Sequence, residues 1–472
     1  MQPLKAGVAV FNNNVQNNVT NPINDNFATT INTGYHINFG VSQIRTSLSG
    51  KEETNKYNTI ADAIDKSVRK DLQQMLKTGK LLNNNSSDNS TTLDSLYKIA
   101  TTKRINGLDT KTILHDVIKT INDPFRITQK FGTIPVNMQS NIIQTAQAQG
   151  KPITAMDLDV KSSTCPAASV EFDLADRMPA EFARAAEGLT SENLSYSRKI
   201  NVNDLSQGVL NTIWMLNEFG VDYKMEDWNT LNVNLKPDRN AIIRARVQAS
   251  QGLNDERSAL DVLMQSTFMN IGSQNTYNTL TDKRTPKYNE DDSGLIDIEK
   301  NFVEELVTGK GKVCVTYQKI DDNGKLIGYE CEQYETLNHI KDTLAQGNNV
   351  IIGYTYCDDD NNVIGGHEIT IIGIETDRNG NQYFICNDTD DGVPNKITYP
   401  VAELLPKIHH AGIPKSVLVG NVEFVEAWKE LMQVYKESKM QQNILQAQQI
   451  QLTPQYQPYV NSQPLTVLNQ AA

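Results

Sequence analysis

The stretch Ser162-Ser163-Thr164-Cys165-Pro166-Ala167-Ala168-Ser169 sets a thiol at the start of an alanine-rich run. Proline is favoured in the first helical turn, so a helix should open here with Cys165 at or beside its N-cap. The unpaired N–H groups and positive dipole end at such a position favour a thiolate, which turns the sulfur into an effective nucleophile. The same residues also fit a small buried side chain in a packing helix. A second element supplies a base. In Gly365-Gly366-His367-Glu368-Ile369-Thr370-Ile371-Ile372, a histidine enters a half-buried strand behind two glycines that allow close approach. A third element, Gln382-Tyr383-Phe384-Ile385-Cys386-Asn387-Asp388, reads as the returning strand of a hairpin whose turn is Asp377-Arg378-Asn379-Gly380-Asn381. A carboxylate at the end of that strand can orient the imidazole and stabilise its charged form. Alternation puts Asn387 and Asp388 on opposite faces, so only one can serve; Asp388 is expected to face His367, with Asn387 as the alternative. Turn capping is the competing task for both.

These three residues need elements to hold them. Helical patterns dominate from about 153 to 307, over 165–176, 179–187, 204–219, 256–271 and 294–307. After Gly309 the period becomes strand-like. Lys312 to Ile320 and Lys325 to Cys331 flank Asp321-Asp322-Asn323-Gly324, a hairpin turn, and a helix near 335–346 leads into the β-branched run Asn349 to Tyr356. Helices first and antiparallel strands second predict an α+β class. The helical half then carries the Cys, and the antiparallel β half carries the His and Asp. Residues 1–57 read as a disordered Asn-rich lead-in, and 58–152 as short helices on flexible connections. Within that part, Ile60, Ile64, Val68, Leu72 and Met75 mark one face of a helix, and helices at 92–103 and 110–121 follow, the latter capped by Asp109. The polar spacer Asn83 to Ser90 has no composition for packing. Residues 423–440 predict an amphipathic helix, and 441–472 a disordered Gln-rich tail.

The helix-opening Cys165, the helix-to-strand element Thr343 to Gly347 into Val350 to Tyr354, the Gly366-His367 strand and the strand end Asn387-Asp388 together resemble the papain-like cysteine peptidases. The likeness is to the bacterial branch similar to bacteriocin-leader-processing enzymes of the peptidase family 39 type, and is clearest over about 340–420 and 160–176. It implies a two-lobed papain-like domain over 153–422 that hydrolyses peptide bonds through a Cys thioester without a cofactor. Cys165 would be the nucleophile, His367 the base and Asp388 the orienting residue. Where family members carry an oxyanion-binding Gln about six residues before the nucleophile, this chain has Asp159, so the resemblance locates the oxyanion region around Asp159, Ser162 and Ser163. The long separation of Cys165 and His367 implies an insertion at about 220–293. Two other functions fit the same resemblance: a catalytically inactive papain-like binding protein, and a thioester-forming acyltransferase of the transglutaminase-like type.

Composition excludes other classes. Lys and Arg total 44 against 56 Asp and Glu, a net charge of -12, and no basic block stands out, so the expected partner is a peptide or protein substrate and not nucleic acid. No run of 18 apolar residues predicts a membrane span. The opening residues lack a signal-peptide pattern, so the expected location is the cytoplasm, or outside it by a route that needs no N-terminal signal. The 5 cysteines are scattered, odd in number and without a CxxC pair, which predicts neither a disulfide framework nor structural zinc. Calcium loops starting at Asp358 or Asp388 would put Val363 or Val393 where glycine is required, so no metal site is expected. His36, His115, His339, His409 and His410 read as surface or packing residues.

Overall fold

The computed structural model describes residues 31–32, 44–130, 136–148, 162–251, 256–284, 294–321, 323–390, 395–418, 440 and 444, and over them the chain is an α+β protein with antiparallel sheets. Strand β1 (Ile31–Asn32) precedes helices α1 (Gly50–Ala63), α2 (Lys66–Lys77), α3 (Thr92–Thr101), α4 (Thr110–Asn122) and α5 (Val136–Ala148). Then come α6 (Cys165–Arg177), α7 (Pro179–Leu189), β2 (Tyr196–Asn201), α8 (Val209–Glu218), β3 (Asp222–Met225) and β4 (Thr230–Leu235). Helices α9 (Ala241–Gln251) and α10 (Ala259–Gly272), the short strands β5 (Tyr277–Asn278) and β6 (Lys283–Arg284), and α11 (Asp297–Thr308) complete the helix-rich part. The rest is mainly strand: β7 (Lys312–Thr316), β8 (Gln318–Ile320), β9 (Leu326–Tyr329), then α12 (Gln333–Ala345), β10 (Val350–Cys357), β11 (Val363–Thr376) and β12 (Gln382–Asn387). Strand β13 (Lys396–Pro400), the short α13 (Val401–Leu404) and β14 (Ile408–Pro414) follow.

Local chemistry explains the main boundaries. Asp109 accepts the Thr112 N–H at 2.9 Å and so starts α4, and Pro166 sits in the first turn of α6, where its missing N–H costs nothing. Asp377 accepts the N–H groups of Asn379 and Asn381, each at 2.8 Å, while Gly380 takes a φ of 87°, so the chain reverses tightly between β11 and β12. Helix α6 is buried on every side because it is surrounded: apolar Ala167, Ala168, Val170, Phe172 and Leu174 and polar Ser169 and Glu171 are all fully buried, and α7, α10, α11 and β11 pack against it.

The principal sheet runs β13-β12-β11-β10-β14-β7, with β1 pairing β11, and all its pairs are antiparallel. The last strand among the described residues, β14, therefore lies between β10 and β7. Ile340 and Leu344 of α12 join Ile352, Tyr354, Ile369, Ile371 and Ile413 of the sheet in one apolar core.

Several expectations change. The lead-in expected to be disordered to residue 57 overlaps α1, which starts at Gly50, and Ile31–Asn32 pair with Gly373 and Ile374. Polar anchoring begins α1: Glu53 accepts the Ser49 N–H at 2.7 Å and pairs with Arg45 at 2.8 Å, a signal that an apolar period does not carry. The face from Ile60 to Met75 spans two helices, broken at Ile64 and Asp65, which are extended. The Asn83–Ser90 spacer is packed: Asn83 and Ser86 are buried, Asn85 Nδ2 donates to Arg177 O at 2.9 Å, and the Ser87 N–H donates to Glu181 Oε2 at 2.7 Å. Hydrogen bonds to the ends of α6 and α7 do there what apolar area does elsewhere, so the connections in 58–152 are not all loose. The sheet β2-β4-β3 was not expected, although Tyr196–Asn201 alternates buried and exposed. The segment expected as an insertion, 220–293, contains α10, which is buried along its whole length and packs on α6. The first hairpin forms from β8 and β9, while β7 turns away to pair with β14.

Of the 423–440 and 441–472 segments only Met440 and Ile444 fall within the described residues. No helix among the described residues is long and apolar enough to cross a membrane.

Candidate active site

Cys165 is the first residue of α6 and is half-buried, with Thr164 as the N-cap. The helix delivers the thiol beside His367 of β11, close enough to act on the charge of the ring. His367 Nε2 lies 2.9 Å from Asp388 Oδ1, so the nitrogen left for the thiol is Nδ1. Asp388 follows the last residue of β12, and its N–H donates to Asn395 O at 2.7 Å, fixing the strand end. Its Oδ1 also accepts the Asp390 N–H at 3.1 Å, and its Oδ2 accepts the Tyr399 hydroxyl. Tyr354, opposite His367 on β10, stacks edge-on against the imidazole with ring centres 5.7 Å apart.

Burial shapes the electrostatics. It opposes charge on His367, but hydrogen bonds to Asp388 and Cys165 and their charges outweigh it and raise the imidazole well above its ordinary range. For Asp388, burial disfavours the carboxylate, yet the bond and charge of His367, the Tyr399 hydroxyl and the Asp390 N–H hold it below the usual value. Both shifts favour the charged forms, the imidazole ring lying between the Asp388 carboxylate and the Cys165 sulfur.

Asn387 points elsewhere. It is fully buried and Nδ2 donates to Asn395 O at 3.3 Å, so the two candidate orienting residues separate as alternation dictates. Ser162 and Ser163 are near the thiol in sequence, but their hydroxyls are committed. Ser162 Oγ meets Arg257 Nη2 and lies 2.9 Å from Thr164 Oγ1, and Ser163 Oγ donates to Asp282 O at 2.8 Å. Asp159 lies outside the described residues. Within the expected oxyanion region the Ser162 and Ser163 hydroxyls therefore hold the loop before Cys165, and among the described residues the backbone N–H groups at the start of α6 lie beside the sulfur.

Sequence reasoning missed the group that anchors this loop. Arg257 is completely buried, pairs with Asp282 at 2.8 Å, donates to Gln129 O through Nε at 3.0 Å and Nη2 at 2.7 Å, and reaches Thr164 Oγ1 at 2.5 Å. The Tyr277 hydroxyl donates to Asp282, and the Thr164 hydroxyl to Gln265 Oε1 at 3.0 Å. Gln129 in turn lies along the strand end of Asp388, its N–H donating to Thr389 O at 3.1 Å. Parts of the chain read as flexible connection and as insertion thus position both ends of the Cys–His–Asp set. Tyr399 was also missed; nothing in Lys396–Pro400 distinguishes it from any strand tyrosine.

Two further readings need correction. Of the glycines before His367, Gly366 would meet only ordinary contact if it carried a Cβ, 3.5 Å from Tyr354 O. The close approach is at Gly353, where a Cβ would overlap the His410 ring. His410 is no idle packing residue: it is buried, and its Nε2 lies 2.7 Å from Glu368 Oε1. No family model, curated protein or solved structure matches the chain.

Proposed function

We propose that this protein is a cysteine peptidase of papain-like fold, with Cys165 as nucleophile, His367 as proton carrier and Asp388 as the residue that orients it. The observation that carries the reading is the chain of contacts from the thiol at the head of α6 to the His367 ring, and from its Nε2 to Asp388 at 2.9 Å. A helical part that carries the thiol beside an antiparallel sheet that carries the His and Asp supports the same fold.

In the proposed reaction the Cys165 sulfur attacks the carbonyl carbon of a peptide bond, and negative charge develops on the substrate oxygen near the N-terminus of α6. His367 passes its Nδ1 proton to the departing amine while Asp388 holds the ring, leaving an acyl thioester. Water then enters, His367 takes its proton, and attack of the resulting hydroxide on the thioester releases the carboxylic acid and the anionic Cys165 sulfur beside the reprotonated imidazole.

Iodoacetamide labelling of the full chain, read by peptide mass spectrometry, tests the nucleophile. Cys165 should react faster than the half-buried Cys331 and Cys357, and His367→Ala should remove that advantage. Equal rates among these thiols would overturn the assignment. A denatured-protein digest with and without Cys165→Ala tests hydrolysis itself; products that carry an added amine in place of new carboxyl termini would move the reading to acyl transfer.

A further inference from the structure

On β11, Glu368 follows His367 and its side chain leaves the strand on the opposite face. Glu368 pairs with Gly353 of β10, and Gly353 pairs with His410 of β14. Because the middle position has no side chain, the His410 ring lies across it and reaches Glu368. The pairing of β10 with β14 then slips: Gly353 faces His410 and Tyr354 faces Ile408, which leaves His409 as the extra residue of a β-bulge. Without the bulge, consecutive histidines would point to opposite faces. With it, His409 Nδ1 and His410 Nδ1 approach to 3.0 Å, their rings at 89° to each other. Asp297, the first residue of α11, brings a carboxylate oxygen to the same point, and the three ligand atoms all lie within 4.8 Å of one another.

Two ring nitrogens at this distance repel through their lone pairs unless a proton or a cation lies between them. Glu368 accepts from His410 Nε2, so Nδ1 is the nitrogen His410 can offer to a metal, and a carboxylate behind a ligating histidine is the usual second partner of such a site. We infer that His409, His410 and Asp297 bind a divalent transition-metal ion of the zinc type, with Glu368 orienting His410 and a water completing the shell. Zinc–nitrogen bonds of about 2.0–2.1 Å at a tetrahedral angle need nitrogens about 3.3–3.4 Å apart, so the two histidines need open by only a few tenths of an ångström, while the Asp297 oxygen, within 4.8 Å, closes in on the ion through its side-chain rotamer. Two imidazoles and a carboxylate suit zinc better than calcium or magnesium, which prefer all-oxygen shells. His409 and Asp297 are half-buried whereas His410 is buried, so the cluster is not sealed on the side of His409 and Asp297. Nearby, Lys300 lies against Glu304 at 3.8 Å, and its charge is balanced by Glu368 and Glu304. The bound ion would tie the head of α11 to β14, the strand between β10 and β7, and so join the helical layer to the sheet.

The inference does not depend on peptidase activity. The test is zinc titration of the full-length Cys165→Ala chain, where the active-site sulfur cannot compete, followed by calorimetry and by melting with and without zinc. One saturable site per chain and a rise in Tm with zinc are expected. Asp297→Asn and His409→Gln, both at the half-buried rim, should leave the zinc-free melt cooperative while weakening zinc binding at least about tenfold. Cobalt(II) at the site should show no thiolate charge-transfer band. Absence of saturable binding in Cys165→Ala, binding unchanged in both rim variants, or a thiolate band would each overturn the site.

Discussion

Tyr399 donates its hydroxyl to Oδ2 of Asp388, the carboxylate oxygen that His367 leaves free. With both oxygens engaged, the carboxylate cannot turn away from the imidazole. A hydrogen bond to an ionised group is worth about 1.5–3 kcal/mol, and Tyr399→Phe removes it while keeping the ring in the core. Lower Tm and about tenfold slower iodoacetamide labelling of Cys165 are expected, the rate loss that about 1.4 kcal/mol produces. Unchanged labelling would show that Asp388 is held well enough without the hydroxyl.

The two residues at the end of β12 should behave very differently. Asp388→Ala should slow Cys165 labelling and turnover by about 10²-fold or more, in line with the loss of the third member of a triad. Asn387→Ala should change both far less and act on stability, because Asn387 is buried and bonded to Asn395. The comparison is a rate ratio at one pH, and the reverse ranking would move the orienting role to Asn387.

Stability should depend on pH through the same pair. His367 is raised on folding, so its contribution is full below the unfolded value of about 6.5 and declines as pH climbs toward the folded value. Asp388 is lowered, so its contribution is full above about 3.9 and declines as pH falls toward the folded value. The Tm advantage of the wild type over His367→Gln should therefore be greatest between about pH 4 and 6.5 and shrink on the alkaline side. A gap that widens above pH 7 would contradict the ion-pair arrangement.

Gly353 and Gly366 give a matched pair of substitutions. Gly353→Ala drives a methyl into the His410 ring and should cost about 1–3 kcal/mol in chemical denaturation, whereas Gly366→Ala meets only ordinary contact and should cost less. Equal costs would mean that the His410 ring moves aside freely.

Breaking the buried Arg257–Asp282 pair from one side strands a charge. Arg257→Met should destabilise by about 3–5 kcal/mol, and adding Asp282→Leu should recover much of that loss. Even the recovered double variant should label more slowly at Cys165, since Arg257 also holds Ser162 and Thr164.

The residues of the Cys–His–Asp set were legible because local rules mark a proline in a first turn, a histidine behind paired glycines and an acid at a strand end, although the strand begins at Val363 and His367 lies within it, not at its entry. Their supports were not. Arg257, Asp282 and Gln129 meet only because three separate segments fold together, and no local period encodes such a meeting. His409 and His410 were read as idle because their partners come from α11, β10 and β11, and because a bulge is a property of pairing between strands. The sheet β2-β4-β3 is a different case: alternation in Tyr196–Asn201 and Thr230–Leu235 was present in the sequence but lay inside a stretch read as helical.

The place of β14 in the principal sheet bears on how the protein is made. Synthesis delivers the thiol, the imidazole and the carboxylate before it delivers residues 408–414, and until then β10 and β7 each lack a neighbour. An emerging chain therefore has β10 and β7 as two bare edges exposed to any passing strand. Strand β14 works as a keystone, and chains cut short before Pro414 should scatter more light on expression than the full chain, as open-edged sheets aggregate.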